Sequence, residues 1–538
     1  MSEEQTEGAI AKFTNELDAL TFGIGVVVAS LAVAAFIFRE EAATDIMWST
    51  NDFLWGTFGW FYLAIMFTFV VFVIFLILSP WGQIKLGTED DEPEFSFLSY
   101  FMMLYSAAIA AGIVFWGPAE AIFHYETPSP LVGAEGMTTE AAVGALQYTF
   151  FHWGISAWTV YIIMALPIAY YAYRHDAPLR ISTVIAPWVG LDNLDGFWAK
   201  VIDVVAVLTT IGGVATTLGL VGSQFLTGLN YVLGVQVGDI GTVLVITGLT
   251  VGFTLSVAAG VRRGIRRVSY FNMVLFFVLM ITAFVLGPTS FIMSAGTEAL
   301  GGYINEFITM SLYTNAAGAE PAWFVGSWTV FYWAWWFSWA PFVGLFIARI
   351  SKGRTVRQVA FTGVFASTGI TIPWFATMGG TSIFMQDTGQ ADVLGVIGEY
   401  GGDEAAAGYP MFEALPLGEL LTVMFLVLIT TFLITSADSS TLALGMLTTG
   451  GAESPSTINR VIWAALIGML ASMLMVVGGV DAVQAAAIIL GTPFGIVLFL
   501  GMLNMIVTFG DERPIFLQSE EEIPVVSARD EFTAADDD

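Results

Sequence analysis

Residues 328 to 342, WTVFYWAWWFSWAPF, contain five tryptophans, a tyrosine and three phenylalanines. The faces of such rings carry negative charge density. They attract organic cations, a quaternary ammonium above all, by roughly 0.5 to 2 kcal/mol per ring. A second run, FFHWGISAWTVY, supplies Trp153, Trp158 and Tyr161. At about 100° per residue these lie at roughly 0°, 140° and 80°, so one continuous helix would turn all three rings to one side. Aromatic clusters of this kind commonly form packing or interfacial belts. Two helices that each carry rings at mid-span could instead form an aromatic cage.

A third run, TTFLITSADSSTLALG, sets Thr435, Ser436, Asp438, Ser439 and Ser440 in an apolar context. An acid at membrane depth is costly and points to function, although Asp438 could equally bond a neighbouring helix end. Adjacent hydroxyls often bond back to their own helix. Beside a broken helix they could complete an oxygen cage for a hard monovalent cation. The run YSAAIAAGIVFWGPAEA offers small residues Ala107, Ala108, Ala110, Ala111 and Gly112, then Gly117-Pro118 and Glu120. In the tryptophan run, Pro341 removes a backbone donor. Interruptions at corresponding places in two halves fit an inverted-repeat transporter, and small residues alone fit close helix packing. His152 reads as a core histidine, with no Cys or clustered His to make a metal site; His124 and His175 read as loop residues. There is no cysteine, so disulfides, thiolate-held clusters and cysteine nucleophiles are excluded. No G-x-S-x-G or H-E-x-x-H occurs, and no enzyme is expected.

The elements that must position these residues are membrane spans. The 538 residues are 56% hydrophobic and only 12% charged, with a mean hydropathy of +0.77, against roughly 25% charged residues in soluble domains. Twelve apolar runs predict spans near 21–38, 59–79, 97–118, 140–173, 197–226, 239–260, 269–290, 323–350, 357–384, 414–448, 459–478 and 483–508. All the Lys and Arg except Arg39 fall in the terminal segments and even-numbered loops, or at their edges. The loops around 119–138, 227–238, 291–322, 385–413 and 479–482 have none. This asymmetry predicts two cytoplasmic termini in a multi-pass cell-membrane protein. The acidic start, MSEEQTEGAI, lacks the basic segment of a cleaved signal, so the first apolar run reads as a retained span. A formal charge of −29, with 46 acids, 17 bases and only four lysines, opposes nucleic-acid binding and suits work in concentrated salt.

The sequence SWTVFYWAWWFSWAPFVGLFIARISKGRT resembles the signature of the betaine/choline/carnitine transporter family. WGQIKLG, GPAEAIFHY, FHWGISAWTVY, VRRGIRRVSYFNM and FLITSADSS follow in the family's order, so the likeness covers about residues 60 to 508. The resemblance implies an all-α polytopic membrane protein of about twelve transmembrane helices, with two peripheral helices followed by inverted five-helix repeats. The expected division is a cytoplasmic segment 1–20, peripheral helices 21–96, a first repeat 97–290, an extracellular loop 291–322 with an interfacial helix, a second repeat 323–508 and an acidic cytoplasmic tail 509–538. It also implies a homotrimer that carries a quaternary ammonium solute, boxed by Trp153, Trp158, Tyr161 and Trp336. Trp333, Trp335, Trp339, Phe342 and Phe346 match residues that shape the pathway or act as gates. One Na+ site would comprise carbonyls of Ser106, Ile109 and Phe432 with the hydroxyls of Thr435 and Ser436. A second would use Thr210 and contacts around Phe342. The chain departs from the family at Ala108 and Ala110 in place of glycines, Val214 in place of threonine and Ala121 in place of proline, and its tail is acidic where osmosensing relatives have a basic one.

No Asp or Glu lies between Phe101 and Pro118 or between Trp328 and Ala348. That favours glycine betaine, which carries its own carboxylate, over choline, which gains most from an acid in the pocket. Spans 5 and 8 have no mid-span Lys or Arg to replace a metal cation, so Na+ is expected as the coupling ion, with no other cofactor.

Overall fold

The computed structural model describes residues 3–108, 110–258, 262–316, 323–452 and 454–513, with the side chains at 3–7, 106–111, 239, 252–253, 255–258, 262–267, 269, 433 and 435–440 outside the description. The described chain is helical apart from loops and one isolated bridge, Lys85 to Thr355. Helix is the form that pairs every backbone group within one continuous segment, as hydrocarbon surroundings require. The first half contains α1 (Glu3–Glu16), α2 (Ala19–Phe38), α3 (Glu40–Leu78), α4 (Phe97–Ala108), α5 (Ala110–Glu126), α6 (Thr139–Trp153), α7 (Ile155–Arg174), the short α8 (Ala186–Val189), α9 (Phe197–Leu233), α10 (Asp239–Ala258) and α11 (Arg262–Leu286). The second contains α12 (Thr289–Leu312), α13 (Phe331–Ile350) preceded by a π-turn at Val325–Val330, α14 (Val356–Phe361), α15 (Ser367–Asp387), α16 (Val393–Glu399), α17 (Gly408–Glu413), α18 (Gly418–Leu447) and α19 (Thr457–Glu512).

Each of the twelve expected runs lies on helix over most of its length. Among the described residues, seven helical segments are long and apolar enough to cross a membrane, or eight if the bent pair α11 and α12 counts as one span. The last segment, α19, contains two of the expected runs. They meet at Gly478 and Gly479, where φ is −160° and +58°; the positive φ at Gly479 is a conformation that glycine adopts without penalty.

Local chemistry marks the ends. Asp18, Thr138 and Ser456 each accept a backbone N–H at the start of α2, α6 and α19, and Thr355 with Gln358 forms a reciprocal capping box on α14. Gly287-Pro288 separates α11 from α12 and turns the chain by 105°. Helix α12 runs through the first part of the 291–322 segment and packs on α6 and α15. The most extensive contacts are those of α9 with α19 and of α13 with α7, and they place the tryptophan run in the middle of the bundle.

Neither Pro118 nor Pro341 interrupts its helix, α5 and α13 respectively, while Ile109, in the small-residue stretch of span 3, lies outside the described residues. A proline removes one hydrogen bond, and packing on every side of these buried helices holds the remainder. The irregularities in spans 4 and 8 are instead the break between α6 and α7 and the π-turn before α13.

Candidate functional site

The break between α6 and α7 is made by Gly154, at φ −86° and ψ −136°. A Cβ there would lie 2.5 Å from the Phe150 carbonyl oxygen and 2.8 Å from the Tyr303 hydroxyl, so only glycine fits without displacement. A break strips both new helix ends of partners, and aromatic side chains supply them. The indole N–H of Trp336 donates to the His152 carbonyl at 3.2 Å. The backbone N–H of Ile155 donates to the Tyr303 hydroxyl at 3.1 Å.

The break also divides the three rings expected on one face, because the 100° arithmetic does not carry across it. Trp153 closes α6 and meets Trp336 edge to face, with ring centroids 4.9 Å apart at 72°. Phe375 lies 4.7 Å away on another side. Trp335 stacks on Trp336 at 5.0 Å. Trp158 and Tyr161 belong to α7. They meet each other at 6.2 Å, and Trp158 stacks on Tyr105 at 5.3 Å. The four candidate box residues are therefore two ring pairs, Trp153 with Trp336 and Trp158 with Tyr161, each fully buried. Gly112 sits against Trp335 and Trp153: a Cβ on it would be 2.7 Å from the first ring and 3.1 Å from the second.

The indole N–H groups of Trp158 and Trp335 and the Tyr161 hydroxyl have no hydrogen-bond partner among the described residues, and neither has the Trp333 indole. Each such buried donor costs about 1–3 kcal/mol when left unpaired. The cluster thus combines electron-rich faces with donors available to an acceptor.

The expected pathway residues continue along α13. Trp333 packs on Phe151 and His152, while Trp339, Phe342 and Phe346 form a chain with centroid separations of 6.1 and 6.5 Å. Thr210 is buried on α9, and its hydroxyl donates to the Ala206 carbonyl of its own helix at 2.7 Å. Phe432 is buried on α18. Ile109 and the side chains of Ser106, Thr435, Ser436 and Asp438 lie outside the described residues.

Glu120 has a larger place than its sequence position indicates. It is fully buried on α5, and its Oε2 accepts from the Trp153 indole N–H and the Tyr332 hydroxyl, both at 2.5 Å. Its Oε1 lies 2.7 Å from His152 Nδ1 and 3.3 Å from His124 Nε2. His152 Nε2 in turn pairs with Thr329 at 3.0 Å. His124 is therefore a buried helical residue and not a loop residue, and two histidines do cluster with a carboxylate. Their ligand atoms lie within 4.8 Å of one another, a grouping that could hold a divalent ion. The carboxylate is nonetheless saturated by its four neighbours without one. The sequence window that excluded acids from the pocket stopped at Pro118. The fold brings in Glu120 from two residues beyond it. A glutamate inside an apolar run was the available signal for it; Tyr332, Tyr105 and Phe375 gave none beyond aromatic type.

The family model described as BCCT, the betaine/carnitine/choline family transporter, matches residues 20–514. The glycine betaine transporter OpuD of Bacillus subtilis is 38% identical over 500 residues, covering 93% of this chain and 96% of that protein. The ectoine/hydroxyectoine transporter of Virgibacillus pantothenticus is 40% identical over 452 residues, covering 83% and 87%. Glycine betaine transporter 1 of Vibrio parahaemolyticus is 36% identical over 505 residues, covering 91% and 94%. These relatives are named as transporters, in accord with the expectation that the chain is not an enzyme. With a family match over nearly its whole length and an all-helical fold of long apolar segments, the chain belongs to the betaine/carnitine/choline family and is a multi-pass membrane transporter of small solutes.

Proposed function

We propose that the protein imports glycine betaine or a related trimethylammonium solute by Na+ symport and alternating access, so that cells in salty surroundings accumulate a compatible solute. One observation carries this reading: the buried Trp153 and Trp336 meet edge to face with Trp335 stacked beside them, a second buried pair, Trp158 and Tyr161, lies on the next helix, and the Trp335, Trp158 and Tyr161 donors are unpartnered among the described residues. Ring faces suit the methylated ammonium. The donors suit the carboxylate of a zwitterion, which choline lacks.

Na+ would be bound between α4–α5 and α18 by the carbonyls of Ser106, Ile109 and Phe432 and the hydroxyls of Thr435 and Ser436, with Thr210 near a second ion. Sodium would order span 3, the rings beyond Trp336 would close over the solute, and the bundle would reorient to release both. Placement in the cell membrane with both termini cytoplasmic follows from the one-sided distribution of Lys and Arg. The family resemblance supports a homotrimer. Uptake of labelled glycine betaine, choline, carnitine and ectoine into proteoliposomes, with and without an inward Na+ gradient, tests the reading. Saturable, gradient-driven uptake of glycine betaine supports it, and gradient-independent leakage overturns it. The 40% identity to an ectoine/hydroxyectoine transporter favours one competing cargo, ectoine; preferential ectoine uptake would establish that one instead.

A further inference from the structure

On the cage reading above, we propose that Glu120 is the fixed counter-charge of the transported ammonium, a positioning residue whose carboxylate sets how far the cage prefers a bare cation over a zwitterion. Its Oε2 holds the Trp153 indole and the Tyr332 hydroxyl. The Trp153 N–H can only donate, so Oε2 is placed as an acceptor. On the other side, Oε1 faces the two imidazoles. The carboxylate also reaches the second ring of the pair. His152, bonded to it through Nδ1, presents its carbonyl to the Trp336 indole N–H. One acid on α5 thereby fixes rings on α6 and α13.

Among the described residues its ion-pair partners are His124 and His152 alone, and no Lys or Arg reaches it. Charge buried in this way calls for a compensating charge. A quaternary ammonium against the face of Trp153 would supply one. An indole that donates to an anion is polarised by it, which adds electron density to the ring face and strengthens its hold on a cation. For a zwitterion the effect is divided, because the same carboxylate attracts the ammonium end and repels the acid end. Removing the charge therefore changes selectivity as well as affinity, and loss of packing alone gives no reason for the two ligands to respond differently.

The test is equilibrium binding of tetramethylammonium and glycine betaine to the purified full-length protein at saturating Na+, followed by tryptophan fluorescence. Glu120→Gln keeps the size and removes the charge. It is expected to raise the tetramethylammonium Kd on the order of tenfold and that of glycine betaine by no more than about threefold. Glu120→Asp, which keeps the charge on a shorter arm, should return the ratio of the two constants toward wild type. An unchanged ratio in Glu120→Gln overturns the proposal. If that variant does not fold, Tyr332→Phe decides: it keeps the charge and removes one donor from Oε2, so preference for the cation should hold or rise, and a fall overturns the proposal. Wild-type protein that binds neither ligand refutes the cage itself, and this proposal with it. Wild-type protein that binds both, with the ratio unmoved in Glu120→Gln, refutes only the assignment to Glu120.

Discussion

The indole N–H of Trp336 donates to the carbonyl oxygen of His152 at 3.2 Å. That carbonyl is available because α6 ends one residue later, at Trp153. A helix break thus sets the orientation of a ring on a different span, and Trp153 and Trp336 meet edge to face as a result.

Replacing Trp336 or Trp153 by Leu removes one wall of the ring pair. Each change is expected to raise the KM for glycine betaine about tenfold or more, with protein abundance largely retained, since a cation–π contact in a desolvated site is worth about 2 kcal/mol. Uptake kinetics in proteoliposomes check this. Unchanged kinetics would remove these rings from the site.

Gly154→Ala places a methyl against the Phe150 carbonyl and the Tyr303 hydroxyl. The strain is expected to lower the unfolding midpoint by a few degrees and to weaken glycine betaine binding, because Trp153 shifts relative to Trp336. A thermal shift assay paired with ligand titration reads both. A variant with wild-type affinity would show that the geometry of the break does not set the rings.

Thr435→Ala combined with Ser436→Ala removes two hydroxyls from the proposed cation site on α18. The Na+ concentration giving half-maximal uptake should rise several-fold, in line with the loss of oxygen ligands to a hard cation. A sodium titration unaltered by the double change would argue against the site.

Glu404 lies in the turn Glu404–Ala406 between α16 and α17, outside the membrane-spanning helices. Burial, and after it the charge of neighbouring Asp403, pushes its carboxyl up to about 8. An acid whose pKa rises on folding binds its proton more tightly in the folded state. Stability should therefore be greatest below the ordinary carboxylate range and fall as pH rises from about 4.5 to about 8. Glu404→Gln should flatten that fall in melting temperature measured across the window. Parallel profiles for the two proteins would show that Glu404 does not titrate there.

The spans were legible because a membrane segment is defined by a one-dimensional property, a continuous apolar run of sufficient length. The twelve runs correspond to helices, and the family was legible from motifs that keep their order. The breaks were less so. Pro118 and Pro341 predicted interruptions, yet both lie in continuous helix, whereas Gly154, an unremarked glycine between two aromatic runs, makes one. A proline's cost is local and can be met by surrounding packing. Whether a glycine bends a helix depends on what presses against it, here the Tyr303 hydroxyl from α12.

By itself, then, the sequence determined the membrane class, the helical runs, the family and the ring-bearing segments that meet in the core, because each is written in residue type and order along the chain. Tertiary structure decided which rings touch: Trp153 with Trp336, and Trp158 with Tyr161 and Tyr105. It alone brought Glu120, His124, His152 and Tyr332 to one point. Those residues lie up to 212 positions apart, and a contact at that separation is fixed by how helices pack, which no periodicity within one helix records.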